Sequence, residues 1–336
     1  MNLPMAPTAT PQPILALEDI PRLQDEVRSL ARERNAVILA HNYQLPEVQD
    51  VADYVGDSLG LSRQAAATAA DVVAFCGVHF MAETASVLSP GKTVLIPDLD
   101  AGCSLADSIT PEQLRAWQAQ HPGAITVMYV NTTAEIKALT DYCVTSANAV
   151  AVVEHILREQ GADAEILFGP DMFLGAYVEK SIGRALHVWD GECHVHAGIR
   201  PADIERVRGE HPGADFLIHP ECGCSTSVME YVAAGDVAAD GVHMLSTGGM
   251  LRYAATAAPG TTAIMATETG MLHPLQEASP EKTFVPANRA AVCQFMKMIT
   301  LPKLRDALRE MTGEVKVPEA IAERARLPIQ RMVAIG

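Results

Sequence analysis

Short apolar runs and longer amphipathic stretches alternate along this chain, and the order of these signals repeats three times. Each round opens on an apolar strand that ends in polar residues: VILAHNY (37–43), ITVMYVN (125–131) and ADFLIHPE (214–221). Strands that alternate with helices favour parallel sheets of the α/β class. The pattern therefore predicts three successive α/β units.

A serine recurs in each round, at the end of a segment that contains aspartate. These residues are Ser58, Ser146 and Ser246. In the first two rounds the serine follows the end of the first strand by 15 residues, and in the third by 25, which indicates an insertion there. A helical stretch follows each serine, so all three are predicted to be helix N-caps.

Each round closes on a last apolar strand followed by one cysteine: Cys103, Cys193 or Cys293. Ligand chemistry in parallel α/β sheets is carried by loops at the carboxyl ends of the strands. Three copies around a pseudo-threefold axis would bring the three cysteines to one point. Three converging thiolates suggest either an iron–sulfur cluster with one iron free of protein ligands or a three-thiolate zinc site. An open metal position favours Lewis-acid chemistry on a substrate.

The repeat also suggests domain boundaries. Residues 1–13, rich in Pro and Thr, are predicted to be a flexible leader. The first domain is placed at 14–105, completed by the C-terminal segment 294–336. The second domain is placed at 106–195 and the third at 196–293.

Composition and charge exclude several classes of protein. With 49% hydrophobic and 20% charged residues, the chain is expected to be globular. A net charge of −16 argues against partners such as nucleic acid or an anionic membrane. We find no signal-peptide pattern and no apolar run of the ~18 residues that span a bilayer. Seven cysteines, an odd count, favour reduced thiols or metal ligands, so a cytoplasmic location is predicted.

Eight segments between residues 35 and 305 resemble the quinolinate synthase family. They are AHNYQLPEVQDVADYVGDSLGLS, DLDAGCSLAD, YVNTTAEIKALTDYCVTSANA, WDGECHVH, HPEC, STGGM, ATETGMLHPL and PANRAAVCQFMKMITL. The resemblance implies three similar αβα domains around a central 4Fe-4S cluster. It also implies that Cys103, Cys193 and Cys293 bind the cluster and leave one iron open.

The resemblance further implies a reaction for NAD biosynthesis. Iminoaspartate condenses with dihydroxyacetone phosphate and loses phosphate and two waters to give quinolinate. The open iron is expected to bind substrate and assist dehydration as a Lewis acid. Functional coupling to L-aspartate oxidase is also implied.

The polar residues at the strand ends are the candidates for proton transfer and substrate binding. They form the pairs His41 and Tyr43, Tyr129 and Asn131, and His219 and Glu221. The i, i+2 spacing places both members of a pair on one side of an extended segment. We expect His219 and Glu221 to act as an acid/base pair, Tyr43 to donate a proton, and Tyr129 to orient the substrate. Any one histidine alone would more often be a surface or core residue, but the threefold register favours function.

Anion binding is assigned to the helix starts, where free N–H groups favour negative charge. By resemblance, Ser246 and Thr247 are expected to contact phosphate. Ser58 and Ser146 are expected to hold carboxylate or phosphate, and His196 is a further substrate-binding candidate.

Other hypotheses remain open. Three cysteines would suffice for a non-catalytic iron–sulfur sensor, although a sensor does not need the polar ring at the strand ends. A zinc hydrolase with three thiolate ligands is the third hypothesis. Cys222 and Cys224 lie near the predicted site, and a redox role is the less favoured interpretation of that pair.

Overall fold

Three sheets of four parallel strands form the framework of the protein, whose computed structural model describes residues 15–234 and 240–336. In each sheet the strands lie in the same spatial order: second, first, third and fourth along the chain. Helices flank each sheet, which confirms the α/β class and the three similar αβα units. The predicted leader at 1–13 lies outside the described residues.

The first unit contains the first sheet, whose third strand is buried over its full length. Its strands are β1 (Ala36–His41), β2 (Tyr54–Gly56), β3 (Val72–Cys76) and β4 (Thr93–Leu95). Its helices are α1 (Ile20–Glu33), α2 (Pro46–Gln49), α3 (Ser58–Ala67) and α4 (His79–Leu88), with 3-10 turns at Leu17–Asp19 and Ala106–Ser108.

The second unit repeats this arrangement. Its strands are β5 (Ile125–Tyr129), β6 (Tyr142–Val144), β7 (Ile166–Gly169) and β8 (His187–Val188). Its helices are α5 (Pro111–Gln120), α6 (Ala134–Lys137), α7 (Ala149–Gln160) and α8 (Met172–Ile182), followed by the short α9 (His194–Ala197).

The third unit repeats it again. Its strands are β9 (Asp215–Ile218), β10 (Val242–Met244), β11 (Thr262–Ala266) and β12 (Thr283–Pro286). Its helices are α10 (Pro201–Glu210), α11 (Ser225–Ala234), α12 (Thr247–Thr256) and α13 (Leu272–Ala278), with 3-10 turns at Thr269–Met271 and Met296–Met298.

The second strand of each sheet, β2, β6 or β10, was not predicted. Each has three residues and lies at the sheet edge, within or just after the aspartate-containing segment. Three residues are too few to display a hydrophobic period. Pairing with the neighbouring strand, rather than local pattern, therefore defines them.

One of the three serines predicted to be N-caps occupies that position. Ser246 caps α12, and its Oγ accepts a backbone N–H of the first turn at 3.2 Å. Asp57 caps α3 instead, because its carboxylate directly precedes the helix and accepts one of the free N–H groups. The N-cap of α7 is Asn148. The N-cap prediction was wrong for Ser58 and Ser146.

The C-terminal helices connect two units. Helix α14 (Leu301–Glu310) packs on α1, and α15 (Glu319–Ala334) packs on α4 of the first unit and on α6 and β6 of the second. The division of the chain at 14–105, 106–195 and 196–293 stays a prediction. No helix in the described part of the chain is both long and apolar enough to cross a membrane.

Candidate active site

The carboxyl ends of β1, β5 and β9 face one cavity of about 70 Å³. All three units contribute side chains to its wall. The candidate residues that line it are His41, Tyr43, Ser58, Cys103, Tyr129, Asn131, Ser146, Cys193, His196, His219, Glu221, Thr247 and Cys293. Ser246 is the one candidate that is not among these lining residues. The repeat therefore gathers residues from distant parts of the chain into one site.

His41 and His219 occupy equivalent strand ends and make the same local hydrogen bond. In each ring Nδ1 accepts the backbone N–H two residues on, from Tyr43 at 3.2 Å and Glu221 at 3.4 Å. The neutral ring therefore carries its proton on Nε2. Burial lowers the pKa of both histidines to about 3. Both rings are consequently neutral hydrogen-bond donors into the site at neutral pH.

A buried hydrogen-bond network joins the first unit to the third. The hydroxyl of Tyr43 lies 2.5 Å from Thr267 Oγ1 and 3.2 Å from His196 Nε2. His196 Nε2 also lies 3.0 Å from Thr267 Oγ1. Thr267 directly follows β11, so this network fixes the Tyr43 hydroxyl through a residue of another sheet.

Glu221 is the acidic centre of the network. Its Oε2 lies 3.2 Å from His196 Nδ1, and its Oε1 accepts a hydrogen bond from Tyr129. Burial acts to raise the pKa of Glu221, but the two neighbouring histidines and the tyrosine outweigh it and lower the pKa to about 2. The carboxylate is therefore ionised across the physiological range.

The two buried tyrosine hydroxyls stay protonated. Burial is the main cause and the charge of Glu221 the second, and together they raise the pKa of Tyr43 and Tyr129 well above 10. Both hydroxyls can donate a hydrogen bond or supply a proton to a reacting oxygen or carbon.

The three cysteine loops share one backbone geometry. The carbonyl of each cysteine accepts the N–H of the residue four positions on. These bonds are Asp107 to Cys103 (3.2 Å), Ala197 to Cys193 (2.8 Å) and Lys297 to Cys293 (3.1 Å). Each loop therefore turns into a short helical segment just after its cysteine and directs the thiol to the cavity.

The spacing of the thiols argues against a single metal ion. One Zn²⁺ about 2.3 Å from each sulfur would hold three thiolates about 3.8 Å apart. Among the described residues, two groups of His, Cys, Asp or Glu have ligand atoms all within 4.8 Å of one another. They are Cys193 with His196 and Glu221, and His121 with Glu165 and His187. The three cysteines do not form such a group, so their spacing fits a larger, multinuclear group better.

Two buried carboxylates hold the second and third cysteine loops. Asp171 Oδ2 accepts the Cys193 N–H at 3.1 Å, and Glu268 Oε1 accepts the Cys293 N–H at 3.1 Å. The other oxygen of each carboxylate accepts a backbone N–H from the helical turn that it caps. Both residues are fully buried. Each therefore fixes one cysteine against the strand end of its own sheet.

The start of α12 lies against the first unit. Thr247 Oγ1 accepts Asn42 Nδ2 at 2.9 Å, and Ser246 Oγ lies 3.4 Å from Asp57 Oδ2. A Cβ at Gly248 would lie 2.5 Å from the same Asp57 oxygen, so a larger residue there would displace this carboxylate. A carboxylate thus faces the helix start that was predicted to bind phosphate.

Positive side chains do not contribute to the described part of the cavity wall, which contains neither Lys nor Arg. Lys297, nearby, is 3.0 Å from Glu268 Oε1 and is paired there. An anionic ligand at this wall would be bound by N–H, hydroxyl and imidazole donors.

Cys222 and Cys224 form a disulfide in the structure. They are therefore not the reduced thiols that the cysteine count favoured. Both are fully buried in the apolar core of the third unit and do not line the cavity. Cys76 and Cys143, in contrast, are free and buried in strands.

Sequence reasoning missed Thr267, Asp171 and Glu268. Thr267 and Glu268 follow β11, and Asp171 lies two residues after β7. The prediction considered polar residues only at the end of the first strand of each unit. The same rule applied to the third strand would have indicated all three.

Comparison with known proteins gives the same assignment as the motifs. Residues 25–334 match the family model NadA, quinolinate synthetase A protein. Quinolinate synthase from a strain of Thermus thermophilus is 57% identical over 314 residues, which are 94% of this chain and 97% of the relative. Quinolinate synthase from a strain of Mycobacterium tuberculosis is 54% identical over 330 residues, 98% of this chain and 93% of the relative. The resemblance is thereby confirmed, and the chain belongs to the quinolinate synthetase A family.

Proposed function

We propose that the chain condenses iminoaspartate with dihydroxyacetone phosphate to give quinolinate, phosphate and two waters. Family membership supports this activity. The single structural observation that carries it is the one cavity lined by three cysteine loops and by the strand-end His, Tyr and Glu residues. No observation favours the sensor hypothesis, and the thiol spacing disfavours the zinc hydrolase.

The cysteine set fits a 4Fe-4S cluster, with Cys103, Cys193 and Cys293 as its ligands. All three thiols line the cavity, and their spacing exceeds that of a single-ion site. When bound, such a cluster with one open iron would supply Lewis-acid chemistry for dehydration. Asp171 and Glu268 would keep two of its ligand loops in place.

Proton transfer is assigned to Glu221 and Tyr43, and hydrogen-bond donation to His219. Glu221 is ionised and is the general base of the site. His219 is neutral and carries its proton on Nε2. We therefore assign it the role of a hydrogen-bond donor to a substrate oxygen. The same Nε2 lies 3.1 Å from Ser146 Oγ. Tyr43 stays protonated and is the proton donor. The pair predicted from sequence thus divides into a base and a neutral donor.

Substrate anions are assigned to neutral donors. Thr247 at the start of α12 is the phosphate contact, supported by the dipole of a ten-residue helix. Ser58, Ser146, Asn131 and His41 are assigned to carboxylate and carbonyl groups of the substrates. Ser246 is proposed to act through its N-cap bond, with its hydroxyl already directed to the backbone and Asp57.

The direct test is an anaerobic assay of quinolinate formation from the two substrates. We expect a brown protein that forms quinolinate, and a Cys103→Ala variant that loses both colour and activity. Cys76→Ala is the matched control, because Cys76 is buried in β3 and does not line the cavity. A colourless active protein would refute the cluster, and a brown inactive wild-type protein would refute the enzyme. Coupling to L-aspartate oxidase and the cytoplasmic location stay predictions.

A further inference from the structure

A second cluster of metal-ligating side chains lies at the amino-terminal edge of the second sheet, away from the cavity. It consists of His121, Glu165 and His187, which we call the edge triad. His121 ends α5, Glu165 directly precedes β7, and His187 begins β8. In a parallel sheet this edge is opposite to the carboxyl ends that form the cavity.

The three side chains converge on one point. Glu165 Oε1 lies 2.6 Å from His121 Nδ1 and 2.9 Å from His187 Nε2. The two imidazole rings are 4.1 Å apart between centroids. One carboxylate oxygen and two ring nitrogens therefore already surround a position that a metal ion could share.

The edge triad is also open to entry from solvent. The side chains of His121, Glu165 and His187 are 22%, 44% and 45% exposed. A bound ion would keep at least one coordination position for water. This arrangement differs from the buried group of Cys193, His196 and Glu221, whose atoms are occupied by the network of the cavity.

The fold by itself does not require this triad, because the third unit has the same turn without it. His211 ends α10 with φ −128° and ψ 68°, and His121 ends α5 with φ −129° and ψ 67°. When β7 and β8 are matched with β11 and β12 by their strand pairing, Thr262 corresponds to Glu165 and Val285 corresponds to His187. The turn therefore explains His121, but it does not explain the other two ligands.

We propose that the edge triad is a binding site for a divalent transition-metal ion, with two imidazoles and one carboxylate as ligands. This donor set suits Zn²⁺, Co²⁺, Ni²⁺ or Cu²⁺, whereas Mg²⁺ and Ca²⁺ prefer oxygen ligands. The ion would replace the direct contacts of the two ring nitrogens with Glu165 Oε1. It would tie together three chain segments, including β8, a strand of two residues that leads to the Cys193 loop.

The test is calorimetric titration of the cluster-loaded protein with ZnCl₂, under anaerobic conditions. We expect one Zn²⁺ per chain, with an affinity at least tenfold weaker in His187→Ala and in Glu165→Gln. His211→Ala is the matched control and should bind like the wild type. Equal binding by wild type and His187→Ala, or an equal loss in His211→Ala, would overturn the proposal.

X-ray absorption at the zinc edge separates the edge triad from the cysteines. Two nitrogen ligands at about 2.0–2.1 Å and oxygen ligands at a similar distance are expected. A sulfur shell at about 2.3 Å would place the zinc on the cysteines and reject the edge triad. The result is independent of the quinolinate assay, since binding can be positive in a protein without that activity.

Discussion

The described part of the chain contains two groups of metal-ligating side chains that are similar in composition but lie in opposite environments. Cys193, His196 and Glu221 are at the carboxyl edges of the sheets, and the edge triad is at an amino edge of one. The His196 and Glu221 side chains are 3% and 4% exposed, whereas Glu165 is 44% exposed. In the buried group each charge depends on its neighbours, because water does not screen it. In the exposed group water and salt weaken the interactions, and an ion can enter.

The largest expected contrast concerns the two glutamates. Glu221→Gln should reduce kcat by about 10²–10⁴-fold, because it removes the proposed general base. Glu165→Gln, the same change at the exposed group, should leave kcat unchanged. Steady-state kinetics on both variants measures the contrast. If Glu221→Gln and Glu165→Gln had the same kcat, Glu221 would not be the general base.

Asp171 provides a second way to sharpen the comparison, since it supports the Cys193 loop without lining the cavity. Asp171→Asn should reduce cluster content and activity by about 10–100-fold, a usual cost of losing a group that orients a metal ligand. Iron per chain should fall together with activity, and the absorption of the remaining cluster should change. Asp163→Asn, at an exposed position, is the control. Full iron content in Asp171→Asn would reject this positioning role.

The pH dependence of stability reports on the two buried histidines at the strand ends. His41 and His219 have a folded pKa of about 3 against 6.5 in the unfolded chain, so the unfolded chain binds more protons between these values. The free energy of unfolding is therefore highest above pH 6.5, where both histidines are neutral in either state, and it falls as the pH decreases towards 3. At pH 5 the free energy of unfolding is lower by about 2 kcal/mol for each of the two histidines.

Urea unfolding between pH 5 and 7.5 measures this loss. His219→Gln should be less acid-sensitive than the wild type. Glu221 does not affect the measurement between pH 5 and 7.5. Its pKa is lowered from 4.5 to about 2, so the stability that it contributes is lost only below pH 4.5. Parallel curves for the wild type and His219→Gln would contradict a neutral buried His219.

The smallest expected effect concerns Asp57, whose carboxylate faces the proposed phosphate contact. Asp57→Asn keeps an N-cap side chain for α3 and removes one negative charge. The KM for dihydroxyacetone phosphate should fall a few-fold at low salt and less at high salt, with little change in kcat. Asp53→Asn, on the same unit and bonded to a strand N–H, is the control. An unchanged KM would place the phosphate elsewhere in the cavity.

The sequence alone predicted the repeat and its chemistry because both are periodic. The apolar strands, the polar residues at their ends and the cysteines at 103, 193 and 293 recur once in each of the three rounds. Parallel α/β geometry then requires that these residues face a common side. That requirement nominated the strand-end residues and the three cysteines on the cavity wall, whereas Thr247 and His196 were nominated by the family resemblance.

The tertiary structure determined the contacts and protonation states that do not follow the repeat. Thr267 joins Tyr43 to His196, because these contacts depend on how two units meet. The protonation states of His219 and Glu221 also arise from burial and from neighbours far along the chain. The edge triad is the clearest example, since its three residues span 66 positions and no local motif connects them. Sequence period determined which residues share an edge of a sheet, and packing between segments determined which of them touch.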